Sequence, residues 1–259
     1  MVPRVLTIAT SDSGGGAGIQ ADLKAFAAAG AHGSSVLVAL TAQNTAAVTA
    51  VHELPPDFIR AQLEAVFDDI GVDAAKTGML FSRPIIETVA DFLEQRPAPL
   101  VVDPVLIASS GAQLLQDDAV ETLIGRLFPL ATVVTPNLPE AETLTALRGA
   151  SRRELAERLV ELGAPAALVT GGHGGTAVDH LFDGRDHLEL PVERHDVAAT
   201  HGAGCTHSAT LAALLARGLT LTDAATGAAA AAAAAVRNGL VEIGVGEGPV
   251  DVLDVKGRQ

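Results

Sequence analysis

The chain's single cysteine, Cys205, follows Gly202-Ala203-Gly204 in the stretch HGAGCTHSATLAALLARG and opens an apolar run with helical spacing. Glycines ahead of a helix leave backbone N–H groups free to face a ligand, and the helix dipole favours negative charge there. A cysteine at that position is expected to have its thiolate stabilised and its pKa lowered. It could then take a proton from a hydroxyl that attacks a phosphate held in the same nest. The plainer reading makes Cys205 a small packing residue at a helix start, and the motif alone leaves the two readings about even.

Oxygen donors occur at two other turns. TPNLPEAE places Asn137 and Glu140 after an extended run, with Pro139 suited to the start of a helix. Glu140 either complements the helix dipole or organises Mg²⁺, a cation that prefers oxygen ligands and keeps several waters. Asp103 in VVDPV is a second metal candidate, or bonds only the amides of its turn. SGGGAG (13–18) lacks the G-x-G-x-x-G spacing, and no G-x-x-x-x-G-K-[ST] is present. These glycines therefore suit a close backbone approach to a ligand, or a simple turn, rather than a dinucleotide fingerprint or a P-loop. The eight histidines lack H-E-x-x-H spacing; His173, His201 and His207 lie near the candidate loops.

Positioning these groups requires a scaffold that gathers turns. Short buried-type runs at 5–9, 35–40, 73–78, 99–103, 131–135 and 166–170 read as strands. Helical patterns lie at 18–29, 56–69, 83–94, 117–127, 139–146 and 152–162. This alternation predicts a parallel sheet covered on both faces. Beyond Thr170, the stretches 176–182 and 187–196 flank DGRD and predict an antiparallel hairpin, followed by helices at 206–217 and 221–238. The run ends read TSDSGGGAG, TAQNT, TGM, DPV, TPNLPE and TGGHGG. In an open parallel sheet the carboxyl ends of the strands form the ligand crevice, so these polar turns should line one cleft.

The 259 residues carry a net charge of −14 and only three lysines. That surface repels nucleic-acid backbones, so no nucleic-acid partner is expected. A phosphate site here must rely on backbone N–H groups, arginine or metal. One cysteine excludes an internal disulfide framework and a four-cysteine zinc site, and fits a cytoplasmic protein. The N-terminal run is too short for a signal peptide. The alanine run near residue 230 suits a tightly packed soluble helix rather than a membrane span.

Taken together, the motifs LTIATSDSGGGAGIQADLKAF, LTAQNT, AAKTGML, VVDPV, FPLATVVTPNLPEAE, VTGGH and THGAGCT resemble the hydroxymethylpyrimidine/phosphomethylpyrimidine kinases of thiamine biosynthesis, within the ribokinase-like family. The resemblance covers almost the whole chain. It implies one ribokinase-like domain over residues 1–259, an α/β fold in a three-layer α/β/α sandwich with a mainly parallel central sheet and an antiparallel edge hairpin. It also implies ATP- and Mg²⁺-dependent phosphoryl transfer, first to the alcohol and then to its monophosphate, in a homodimer.

By the same resemblance, Gly202, Ala203, Gly204 and Cys205 form the catalytic anion hole. Ala17, Asp22, Gln43, Met79 and Val105 contact the pyrimidine. Asn137, Thr170 and Gly172 serve the nucleotide, and Asp103 and Glu140 the metal. The sequence departs from the family at Thr10, usually glycine, and at Ala203, usually threonine. It also departs at Ser109 and Thr170, both usually lysine, which removes two positive charges from the phosphate neighbourhood. A pyridoxal kinase, and a catalytically weak pyrimidine-binding sensor or scavenger, are the alternative readings.

Overall fold

The computed structural model describes residues 1–106, 117–171 and 177–258. Its strands are β1 (Arg4–Asp12), β2 (His32–Gln43), β3 (Val48–Glu53), β4 (Ala74–Thr77), β5 (Leu100–Val102), β6 (Val133–Val134), β7 (Ala167–Val169), β8 (Val178–Phe182) and β9 (His187–Pro191). They form one sheet in the order β3-β2-β1-β4-β5-β6-β7-β8-β9. The six strands β2, β1, β4, β5, β6 and β7 are parallel, while β3, β8 and β9 pair antiparallel.

The helices are α1 (Gly18–Ala28), α2 (Pro56–Ala65), α3 (Arg83–Gln95), α4 (Asp117–Thr122), α5 (Leu138–Thr145), α6 (Arg152–Glu161), α7 (Ala203–Ala216) and α8 (Leu221–Arg237). Successive side chains of a buried parallel strand face opposite layers. Leu100 and Val102 of β5 join a core with α2 to α6, whereas Val101 joins one with α1, α7 and α8. The expected three layers are therefore present.

The α3 sequence shows why these helices cover the sheet. Ile85, Ile86, Val89, Ala90, Phe92 and Leu93 recur at helical spacing and are all buried. Burying each large side chain contributes about 1.5–3 kcal/mol. Helix α7 is buried almost all round from Thr206 to Leu214, because it lies between the sheet, α1 and α8. The alanine run forms α8, and Ala224, Ala225, Ala228, Ala229 and Ala235 pack inward. Small side chains let these two helices approach closely. Among the described residues no helix is long and apolar enough to cross a membrane.

Four elements depart from expectation, one of them the helix expected at 117–127, which ends at Thr122 and passes into a π turn over Leu123–Leu127. β3 adds an antiparallel strand at the edge opposite the predicted hairpin. Its segment VTAVHE is largely exposed, so it lacks the apolar run that marks a buried strand. The helix expected at 56–69 ends at Ala65 and passes into a π turn over Val66–Ile70. Helix α7 starts at Ala203 rather than Thr206, which puts Cys205 inside its first turn.

Candidate active site

The carboxyl ends of the parallel strands lie in the order Gln43 (β2), Asp12 (β1), Gly78-Met79 (β4), Asp103 and Val105 (β5), Asn137 (β6) and Thr170 (β7). The residues assigned to the pyrimidine thus occupy one half of the crevice and those assigned to the nucleotide the other. The assigned metal residues lie between. Helix α7 packs on α1, β1, β4 and β5, so its N-terminus, with Gly202 to Cys205, serves that junction. Gly172, Ser109 and His173 lie outside the described residues.

On the pyrimidine side, Asp12 organises the glycine loop. Its Oδ1 accepts the Gly14 N–H at 2.7 Å, and its Oδ2 accepts those of Gly16 at 3.1 Å and Ala17 at 2.8 Å. His201 Nε2 lies 3.1 Å from the same Oδ2. Burial opposes the charge on Asp12, but His201 and the Ala17 and Gly14 N–H groups outweigh it and hold the carboxyl below its usual range. Gln43 reaches the cluster: its Oε1 accepts from Thr41 at 3.1 Å and its Nε2 is 3.5 Å from His201 Nε2. Thr10, which stands where the resemblance expects glycine, donates to the Met79 carbonyl at 3.1 Å and ties the end of β1 to that of β4.

The glycine loop and the anion nest interlock. Gly202 caps α7 with φ of +85°, and a Cβ there would collide with the Gly16 carbonyl. A Cβ on Gly16 would collide with His201. Gly204 meets nothing within 4 Å, so its missing side chain leaves room above the nest. The two glycines flanking Ala203 therefore do different work: one fixes the turn, the other keeps the approach open.

Beneath the junction lies a residue whose role the sequence reading missed. Lys76 is fully buried in β4. Strand alternation sends Ala75 to one core and Lys76 toward the α1/α7 layer. There its Nζ meets Asp22 Oδ1 at 2.8 Å and Oδ2 at 3.0 Å, and Asp103 Oδ2 at 3.6 Å. Thr7 donates to Asp22 at 2.6 Å and Ser208 to Asp103 at 2.7 Å. Burial alone would strip the Lys76 proton, but Asp22, Cys205 and Asp103 pull the other way and raise its pKa. Asp22, assigned by resemblance to the pyrimidine, thus spends its side chain on Thr7 and Lys76. A lysine inside the apolar run DAAKTG was the available signal, since a buried charge requires a partner.

The expected acidic thiol is not found. Burial pushes Cys205 up to about 12, and Asp22 and Asp103 add to the shift. Lys76 and the Gly18 N–H favour the thiolate but are outweighed. The helix-terminus argument considered only the α7 backbone, whereas two carboxylates lie nearby. Cys205 is therefore a protonated thiol at neutral pH.

Asn137 and Glu140 form a capping box at the start of α5: Asn137 Oδ1 accepts the Glu140 N–H at 2.9 Å, and Glu140 Oε2 accepts the Asn137 N–H at 3.0 Å. Glu140 Oε1 also faces the Leu106 N–H at 3.4 Å. Burial and the neighbouring Asp103 raise its pKa to about 8. Two crowded carboxylates, one of them without a basic partner, suit a hard cation. Among the described residues no cluster of three or more His, Cys, Asp or Glu side chains could hold a metal, so water and ligand oxygens would complete the shell.

The sequence profile of the phosphomethylpyrimidine kinases matches residues 12–251. The chain belongs to this family. It is 49% identical over 257 residues to the hydroxymethylpyrimidine/phosphomethylpyrimidine kinase of Rhizobium meliloti, covering 96% of this chain and 97% of that one. It is 50% identical to a thiamine biosynthesis bifunctional protein of Geobacter sulfurreducens, matching 98% of its own length but spanning about half, 54%, of that relative. Among solved structures it resembles Bacillus subtilis pyridoxal kinase in an ADP complex, with TM-score 0.89, 36% identity and 99% of both chains covered. It also resembles Clostridium difficile phosphomethylpyrimidine kinase, with TM-score 0.78, 42% identity, and 88% and 96% covered. Membership makes the chain a kinase, with the ribokinase-like fold expected from its motifs.

Proposed function

We propose that the protein transfers the γ-phosphoryl group of ATP to the hydroxyl of 4-amino-5-hydroxymethyl-2-methylpyrimidine, releasing ADP, and then adds a second phosphoryl group to the monophosphate. The carrying observation is the order of strand ends, with pyrimidine-side groups over β2, β1 and β4, nucleotide-side groups over β6 and β7, and the α7 N-terminus at their junction. That arrangement would bring donor and acceptor together above the N-terminus of α7.

The chain's groups divide the labour. The Ala203 N–H of the expected anion hole is already given to the Thr200 carbonyl at 3.0 Å, so the Gly204 and Cys205 N–H groups of the first turn of α7 would face charge developing on the transferred phosphoryl group, where fixed donors stabilise it most. Gln43 presents an amide that both donates and accepts, matching an aminopyrimidine edge. Cys205 carries its proton at neutral pH, so its sulfur accepts a hydrogen bond from the acceptor hydroxyl and orients it, while the hydroxyl proton passes to an oxygen of the transferred phosphoryl group as the new O–P bond forms and the bond to ADP breaks. Phosphoryl transfer through a loose transition state depends mainly on positioning and electrostatics, so a weak base suffices. Asp103 and Glu140 would hold Mg²⁺, which with ATP bound neutralises phosphate oxygens. In the second transfer the acceptor is a phosphate already ionised near neutral pH.

Release of ADP with the pyrimidine and with pyridoxal, with ³¹P NMR of the products, tests this reading. Monophosphate and then diphosphate should appear from the pyrimidine. A higher kcat/KM with pyridoxal would favour the second reading, which the likeness to pyridoxal kinase structures motivates. Pyrimidine binding without ADP release would indicate a sensor. A homodimer is part of the proposal, supported by exposed Leu40 and Val51 on the β2–β3 edge and Phe58 on α2, and light scattering would measure its mass. A cytoplasmic location is proposed from the single unpaired cysteine.

A further inference from the structure

Beyond the crevice, two buried groups that the reaction does not use form a second link between its halves. Asp179 lies in β8 and His207 in α7, and their side chains are 4% and 6% exposed. Asp179 Oδ1 accepts the Gly171 N–H at 2.6 Å, and Asp179 Oδ2 lies 3.2 Å from His207 Nε2. The β7–β8 ladder pairs Ala167 with Phe182, Leu168 with Leu181 and Val169 with His180. Where the chain leaves that ladder, the Gly171 N–H turns to a carboxylate instead of a strand carbonyl. A Cβ on Gly171 would collide with the Val178 backbone, so the two strands also touch there. On the other side the Thr170 N–H donates to the Pro136 carbonyl at 2.9 Å, and Asn137 and Thr170 form a parallel bridge.

His207 stands on the same helix as the anion nest, two residues beyond Cys205. Its Nε2–H donates to Asp179 in the arrangement that leaves the carboxylate charged. Its Nδ1 has no hydrogen-bond partner among the described residues. The contact to Asp179 is thus the side chain's one polar anchor among them. A single rigid connection runs from the start of α7, through His207 and Asp179, to the backbone of the β7 end. A charge-assisted hydrogen bond in a dry setting holds such geometry more firmly than a neutral one.

We propose that Asp179, oriented by His207, is a positioning residue that sets the β7 end against the anion nest and so tunes affinity for the nucleotide. This rests on assigning Asn137 and Thr170 to the nucleotide, as proposed above. Neither side chain needs to touch ATP. Asp179 acts through the Gly171 backbone, and His207 acts by keeping Asp179 in place.

The test is steady-state kinetics with ATP varied at saturating pyrimidine and the reverse, together with ATP binding by calorimetry. Asp179→Ala should raise KM for ATP about tenfold, the order expected for one buried charged hydrogen bond, while KM for the pyrimidine stays within about twofold. Asp179→Asn keeps the acceptor for Gly171 and should restore most of the affinity. His207→Leu should raise KM for ATP less than Asp179→Ala, and the double variant should match Asp179→Ala alone because the two act in series. If Asp179→Ala does not fold, His207→Leu, which leaves the carboxylate present, carries the test. Lowered thermal stability with unchanged ATP affinity in both single variants would overturn the proposal. A wild type that binds ATP but transfers no phosphoryl group would refute the kinase reading alone, because the calorimetric comparison of variants would still stand.

Discussion

The two halves of the crevice are built by different means. The pyrimidine half rests on side chains meeting across long sequence separations: Lys76 with Asp22 and Asp103, and Asp12 with His201. The nucleotide half rests on anchored backbone: the Asn137–Glu140 capping box and the Gly171 N–H held by Asp179. A buried ion network is rigid and intolerant of losing a member, since the charge left behind has no partner. A capped helix and a strand end lose less when one contact goes. The first half should therefore fail through stability and the second through affinity.

The largest effect is expected from Lys76→Met. It leaves Asp22 and Asp103 buried without their cation and should cost about 3–5 kcal/mol, measured by denaturant unfolding. A loss below about 1 kcal/mol would show that the network contributes little to the difference between the halves. At the junction, Cys205→Ala should lower kcat about a hundredfold, the order for misplacing a reacting group, while leaving pyrimidine binding intact. Cys205→Ser should recover part of it. With the thiol up at about 12, wild-type kcat should show no step assignable to Cys205 across the neutral range; a step below about pH 7.5 that vanishes in Cys205→Ser would restore the acidic thiol.

On the nucleotide side, Glu140 sharpens the contrast through pH. Its pKa in the folded chain, about 8, lies above the unfolded value near 4.5. The folded state then binds more protons, so this group's contribution to stability is fully present below about pH 4.5 and is lost as pH rises through 8. In metal-free protein, Glu140→Gln should flatten the fall in Tm between pH 5 and pH 9, and millimolar Mg²⁺ should flatten it in the wild type. An unchanged slope in both would separate Glu140 from metal. The smallest effect is expected within the nest, at Gly204. Gly204→Ala, with open space around it, should leave Tm within about 1 °C and weaken ATP slightly. Gly202→Ala forces a side chain into a left-handed turn against the Gly16 carbonyl and should do far worse in both.

These differences follow what the chain shows as plain text. Turn chemistry is local, so SGGGAG, TPNLPEAE and HGAGC declared their places, and the parallel strands followed from short apolar runs. Lys76 carries no local motif; its meaning comes from strand alternation and from two carboxylates contributed by α1 and the β5 end. The acidity of Cys205 failed for a related reason: the helix terminus is readable from spacing, but the burial of the thiol, and after it the neighbouring Asp22 and Asp103, are not. β3 escaped because an exposed edge strand needs no continuous apolar run. Asp12 sat in view, two residues before Gly14, as an aspartate that could bond its own turn.

The contact between Asp12 and His201 spans 189 positions of the chain. Because the chain is made from its N-terminus, every parallel strand is synthesised before the segment that carries the nest. A chain ending after β9 contains every strand and the residues of the α2–α6 core, yet it holds half an anion site and lacks the α7 and α8 that cover α1. Long-range closure of this kind is slow, because loop entropy is lost before the contacts that offset it form. Catalytic competence is therefore a late event in the life of each molecule, and the unfinished α1 face is the surface that a chaperone would have to shield.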